Sequence, residues 1–179
     1  MPNFTEKILF DRNVIQSRVE ELVEQIAGDF AGAEMVVVGI LKGSFIFLAD
    51  LTREMRRFDL SPQIDFTILS SYGPSTSPTT MVKIERDISV DLRGKSVLLV
   101  DDILDTGRTM RYLKERVIWL EPDRVKVCVF LDKPSRRVCD IQADYVGFEV
   151  DDVFVVGYGL DYNGYHREKP YIAALEEIR

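Results

Sequence analysis

An α/β fold built on a mainly parallel, doubly wound sheet flanked by helices is what this sequence predicts, on three observations. Unbroken apolar runs of strand length recur along the chain, MVVVGI at 35–40, SVLLV at 96–100 and KVCVFL at 126–131, and segments of helical periodicity separate them. Two of the runs lead directly into punctuating residues and then a new helical pattern, LKGS at 41–44 and DDILDTGRT at 101–109, which is the order strand, tight loop, helix. A length of 179 residues, 46% of them hydrophobic and 30% charged, suits one core rather than two, so a single domain is expected over 1–179.

Taken in order, Asn13 is placed to cap a first helix in which Ile15, Val19, Leu22 and Ile26 share one face, while Glu20, Glu21 and Glu24 suit a solvated side. The run at 35–40 follows as a central strand, and a helix is expected over 45–57. IDFTIL at 64–69 reads as the next strand, followed by the turn-rich segment SSYGPSTSPTT and a short strand at 81–84. A strand at 96–100, a helix at 109–120 and a strand at 126–131 continue the alternation. Right-handed crossovers then place the helices on both faces, and ligands bind beyond the carboxyl ends of the strands.

Several function classes drop out early. No apolar run approaches the ~20 residues of a membrane span, and MPNFTEKILFDRN at the start has neither a basic region nor an apolar one of signal type, so a cytoplasmic protein is expected. Cys128 and Cys139 are too few for a disulfide framework and lack metal-ligand spacing; Cys128, inside VKVCVFL, reads as a buried thiol. A net charge of -7 and a pI near 4.8 argue against nucleic acid as the main partner.

The chemistry concentrates in SVLLVDDILDTGRTM at 96–110. Asp101, Asp102 and Asp105 fall where the strand is expected to run out, and three acids so close must be solvated or liganded. Adjacent strand residues point to opposite faces, so Asp101 and Asp102 serve one ligand only if the backbone turns, and Asp105, Thr106 and Gly107 can supply that turn. Arg108 and Thr109 then open a helix. Its free amides, with the hydroxyls of Thr106 and Thr109, make an anion cradle sized for a phosphate monoester. A ligand that satisfies acids and amides together carries hydroxyls or a cation beside a phosphate, which describes a ribose phosphate with Mg²⁺. No G-x-x-x-x-G-K-[ST] occurs, which removes a P-loop ATPase, and a receiver domain would put this strand nearer its start.

The stretch VLLVDDILDTGRTM resembles the phosphoribosyl diphosphate (PRPP) motif of the type I phosphoribosyltransferases. The chain is similar to the hypoxanthine-guanine group at four further places: LKGS at 41–44, SSYG at 70–73, DKPSRR at 132–137 and VGFEVDDVFVVGYGLDYNGYHR at 146–167. The resemblance implies the type I fold, with a small purine-binding hood from the chain ends. It implies transfer of the phosphoribosyl group of PRPP to N9 of hypoxanthine or guanine, giving IMP or GMP and diphosphate in purine salvage. It also implies a requirement for Mg²⁺ and a homodimer or homotetramer, with neither nucleic acid nor membrane as partner.

Residue by residue, the resemblance gives Asp101 and Asp102 the ribose hydroxyls, two acceptors for two donors. It makes Asp105 the catalytic carboxylate near N7 of the base. Asp105, Thr106, Gly107, Arg108 and Thr109 match the loop around the 5-phosphate, and Lys42 and Gly43 a loop that carries a cis peptide and contacts diphosphate. Lys133 matches the donor to O6, Phe154 the stacking aromatic, and Val155 the residue whose backbone meets the C2 side of the base. Asp161 lies with them beside the second metal position, so the metal set is Asp101, Asp102 and Asp161. Arg167 reaches diphosphate, where a planar fork suits the anion. Ser71 and Tyr72 begin a lid over about 71–82, closed in this family to exclude water. His166, the one histidine, has no matching role and reads as exposed and idle.

The acid pair here is Asp-Asp where the hypoxanthine-guanine group more often has Glu-Asp, which shortens the reach to one hydroxyl by a methylene. An acidic protein must hold anionic substrates with a local positive field from Lys42, Arg108, Lys133, Arg167 and Mg²⁺. Without metal, one carboxylate facing a phosphate at ~4 Å costs ~4 kcal/mol at an effective dielectric of about 20. A regulator of the same fold, binding nucleotide only to control transcription or RNA, would need a basic surface and lack the purine set. A same-fold enzyme for xanthine or a pyrimidine stays open at this point.

Overall fold

The computed structural model describes residues 4–72 and 81–177. The chain opens with β1 (Phe4–Phe10), an element the sequence pattern did not signal, and then α1 (Arg12–Phe30). Asp11, not Asn13, caps α1: its carboxylate accepts from the amides of Asn13 at 2.8 Å and Val14 at 3.0 Å, a reach that a residue inside the first turn does not have. The apolar face is as expected, with Ile15, Val19, Leu22 and Ile26 buried beside Val23 and Phe30.

After β2 (Met35–Leu41), helix α2 spans Phe45–Met55 and tightens into a 3-10 turn at Arg56–Phe58. β3 (Gln63–Tyr72) and β4 (Met81–Arg86) both run longer than their apolar cores suggest. Then come β5 (Ser96–Leu104), α3 (Arg108–Ile118), β6 (Arg124–Asp132), a 3-10 turn at Pro134–Arg136 and β7 (Tyr145–Glu149), with β8 (Val155–Val156) and β9 (Ile172–Glu177) closing the chain.

Six strands form one sheet in the order β4-β3-β2-β5-β6-β7, parallel except for the β3–β4 pair. α1 and α2 cover one face, where Phe30, Phe47, Leu98, Val100 and Phe130 pack. α3 covers the other, where its Leu113 packs with Val97, Leu99 and Val127. Cys128 is buried in the first of these layers, where burial raises its thiol pKa far above the usual value and leaves it inert. β1, β9 and β8 make a separate antiparallel three-stranded sheet, the hood expected from the chain ends.

This order has one consequence for ligands. From β2 the chain moves through α2 toward β3, and from β5 through α3 toward β6 and β7, so the sheet reverses between β2 and β5. In open α/β sheets that reversal leaves a crevice at the carboxyl ends, where ligands bind. The loops 41–44 and 105–109 both end there.

Candidate active site

β5 does not stop before its acids. It runs through Asp101 and Asp102 to Leu104, paired with β6 as far as Leu104 and Asp132, so the bend comes at Asp105 rather than at the first acid. Four more strand residues outweigh the polar side chains, because the parallel neighbour β6 is apolar and buried from Val127 to Leu131 and offers its ladder that far. The Asp102 amide donates to Asp101 Oδ1 at 2.9 Å. Burial, and next the negative charge of Asp102, hold the Asp101 carboxyl well above its ordinary pKa. Burial also raises Asp102, moderated by hydrogen bonds and by the charge of Arg167. Two such carboxyls call for hydroxyl donors or a cation.

Across the crevice, a Cβ on Gly43 would lie 1.5 Å from Asp102 Oδ2, and one on Gly159 would lie 2.0 Å from the Gly43 carbonyl oxygen. Three segments therefore touch through two glycines. The Leu41-Lys42 peptide is cis, as the resemblance implied, and Lys42 is exposed. Arg167 joins the same assembly: Nη1 donates to the Gly159 carbonyl at 2.6 Å and Nη2 pairs with Asp161 Oδ1 at 2.6 Å.

A cavity of about 320 Å³ is walled by residues 101–110 and Arg136. Thr106, Arg108 and Thr109 stand half-buried in its wall, at the start of α3. Gly107 caps that helix with φ of 83°, and a Cβ there would meet Ile141 Cγ2 at 2.5 Å and Arg137 Cδ at 2.9 Å. The amides of Val138 and Cys139 hold the Thr106 carbonyl at 3.1 and 3.3 Å, so the loop is pinned from outside. Gly107→Val is therefore expected to weaken PRPP and nucleoside monophosphate alike by ~10-fold or more, with free-base affinity little changed, in a binding assay of each ligand.

The residues matched to the base gather at the edge of β6 and the hood. Lys133 is 7% exposed, and its Nζ donates to the Val153 carbonyl at 2.6 Å. Phe154 is 53% exposed and meets Tyr162 edge-on, ring centroids 5.6 Å apart, while Tyr162 meets Phe4 of β1 at 5.3 Å. Val155 is buried in β8. His166 departs from expectation: it is half-buried, with a left-handed φ of 77°.

Of DKPSRR the sequence reading assigned only Lys133, and two of its other residues reach the site. Arg136 Nε pairs with Asp105 Oδ1 at 2.9 Å. Arg137 pairs with Asp132 and reaches the carbonyls of Leu104 and Asp105, each at 3.3 Å. Their signal was the paired arginines just after the strand that neighbours β5. Among the described residues, no group of three or more His, Cys, Asp and Glu could hold a metal by itself, so Asp101, Asp102 and Asp161 do not form a protein-only cage. Ser71 and Tyr72 end β3 opposite Val82 and Met81; the rest of the expected lid, 73–80, lies outside the described residues.

Residues 7–163 match the phosphoribosyl transferase domain family. The chain is 46% identical over 172 residues to the hypoxanthine-guanine phosphoribosyltransferase of Aquifex aeolicus (strain VF5), covering 96% of this chain and 95% of the relative. It is 44% identical to the hypoxanthine phosphoribosyltransferase of Salmonella typhimurium, covering 96% of each. Among solved structures it is similar to a hypoxanthine-guanine phosphoribosyltransferase from Bacillus anthracis, with a TM-score of 0.90, 43% identity and coverage of 96% of this chain and 99% of that one. With the fold, the reversal-point cavity and relatives above 40% identity over nearly the whole length in agreement, the chain belongs to the phosphoribosyltransferase family, in its hypoxanthine and hypoxanthine-guanine group.

Proposed function

We propose that this enzyme transfers the phosphoribosyl group of PRPP to N9 of hypoxanthine or guanine, releasing diphosphate and forming IMP or GMP for purine salvage. The observation that carries this reading is that the acid pair Asp101 and Asp102 shares one cavity with the start of α3 at the sheet reversal, and that Arg136, which borders it, ties Asp105 to the loop that follows Lys133. Asp101 and Asp102 accept the ribose 2- and 3-hydroxyls, which offsets their mutual repulsion. The loop from Asp105 through Thr106, Gly107, Arg108 and Thr109 seats the 5-phosphate on the first turn of α3.

Lys42, Gly43 and Arg167 face the diphosphate. Phe154 stacks on the base, Lys133 donates to O6, and Val155 with Asp161 lines the C2 side. Asp105 takes or steadies the N7 proton as N9 attacks. Ser71 and Tyr72 begin the lid that excludes water. Ionised, the adjacent carboxylates of Asp101 and Asp102 are oxygen acceptors of the kind Mg²⁺ takes; they would hold the ion, with Asp161 at a second position, together with substrate oxygens, since the three carboxylates do not form a cage. When bound, Mg²⁺ supplies positive charge to the diphosphate.

No described helix is long and apolar enough to cross a membrane, and we place the enzyme in the cytoplasm, as a homodimer or homotetramer without nucleic-acid partners. The oligomer has support in a Trypanosoma cruzi hypoxanthine phosphoribosyl transferase structure, TM-score 0.91 and 36% identity over 98% of this chain and 94% of that one. That structure was solved to examine the role of the C-terminal region in oligomeric state and activity.

The test is nucleotide formation at saturating Mg·PRPP with each base. Hypoxanthine and guanine should react, xanthine poorly, because its C2 oxygen would face an acceptor, and adenine essentially not at all. Adenine used as well as hypoxanthine would overturn the reading.

A further inference from the structure

Three loops leave the carboxyl edge of the sheet after β5, β6 and β7, and one side chain of the middle loop touches the other two. Arg136, in the 3-10 turn after β6, sets Nε 2.9 Å from Asp105 Oδ1 in the loop after β5 and Nη1 3.4 Å from Asp152 Oδ2 in the segment after β7. That last segment continues into Val153, whose carbonyl receives Lys133, and into Phe154.

A planar guanidinium can bridge two carboxylates through different nitrogens, whereas an ammonium offers one compact charge. Both partners are partly open to water, with side chains 41% exposed for Arg136 and 39% for Asp105, so the ion pair adds little to stability. What it does fix is geometry. Arg136 engages Oδ1, and a carboxylate accepts through both oxygens, so the bridge and a proton at the base do not exclude one another.

We propose that Arg136 is a positioning residue, tying the Asp105 carboxylate to the 151–154 segment so that the acid and the base platform keep one spacing. The inference rests on the reading of Asp105 and Phe154 given above. It makes Arg136 act on the base half of the reaction and not on PRPP binding, although it borders the phosphate cavity.

Steady-state kinetics with hypoxanthine and Mg·PRPP tests this on the full chain. Arg136→Ala should lower kcat/KM for hypoxanthine by ~10- to 10²-fold, the scale of a misplaced catalytic group, with KM for PRPP within about twofold of the parent. Arg136→Lys should recover no more than a few-fold of that loss, because it restores charge but not the bridge. Asp105→Asn with Arg136→Ala should turn over within about twofold of Asp105→Asn alone, since the two act as a unit.

A rise of ~10-fold in KM for PRPP would make Arg136 a phosphate ligand instead, full recovery by Lys would reduce it to a local charge, and multiplying losses in the double variant would make it independent of Asp105. Should Arg136→Ala fold poorly, Asp152→Ala removes the acceptor at the other end of the bridge and should raise KM for hypoxanthine alone; an unchanged KM overturns the bridge. Failure of the underlying reading looks different: a parent inactive with hypoxanthine, or Asp105→Asn at the parental rate.

Discussion

Lys133→Met is expected to lower kcat/KM for hypoxanthine and guanine by ~10²-fold, the scale of a lost hydrogen bond from a charged donor. In the parent enzyme, the preference for hypoxanthine over adenine should reach ~10⁴-fold, because a site built to pair a buried polar group is left unpaired by the wrong analogue. The geometry explains why one lysine can do this. Its Nζ is withdrawn from solvent and oriented by the Val153 carbonyl at 2.6 Å, and an ammonium has three donors, so orientation uses one and leaves others for O6. Adenine presents an amino group, donor against donor. Met keeps the length and the apolar stem but has no donor, so the adenine discrimination should shrink from the oxopurine side. The check is kcat/KM for the three bases in parent and variant. Oxopurine rates unchanged in Lys133→Met would remove Lys133 as the O6 donor.

The second large effect is at Asp105. Asp105→Asn should retain PRPP binding and lose ~10²-fold or more in turnover, the usual scale for a proton acceptor removed from the transition state. Asn preserves size and one acceptor oxygen but cannot take a proton at the base. It also replaces the ion pair to Arg136 by a neutral hydrogen bond, so the variant alone mixes chemistry with positioning. Single-turnover rates at saturating PRPP separate the two when Asp105→Asn is set beside Arg136→Ala, since misplacement alone costs both variants alike and the further loss in Asp105→Asn is the missing proton acceptor. A near-parental single-turnover rate would take Asp105 out of the chemistry.

Periodicity placed the central elements because their environment is written in composition. β2 and β5 are buried on both faces and so read as unbroken apolar runs, and α1 shows its buried stripe every three to four residues. Element ends were less legible. β5 continues through Asp101 and Asp102 because its ladder to β6 continues, and a ladder belongs to a neighbour more than 20 residues away in the chain. β1 gave no signal at all. Its residues Thr5, Glu6, Lys7 and Ile8 are exposed, so no alternation marks them, and it becomes a strand by pairing with β9 at the other end of the chain.

The same division holds at the site. The sequence by itself determined the local chemistry: acids, a turn glycine and helix-opening threonines lie within nine consecutive residues, and the amide cradle follows from their order. Only the tertiary structure decided what faces that stretch. Gly43 meets Asp102, Gly159 meets Gly43, Lys133 meets Val153, and Arg136 spans Asp105 and Asp152, each a contact between separate loops. The physical reason is range. Capping, turn geometry and helix dipoles act over one or two turns of chain and are set by neighbouring residue types. The reversal of the sheet between β2 and β5 is set by how the whole core packs, and it is this reversal that brings distant loops to one crevice.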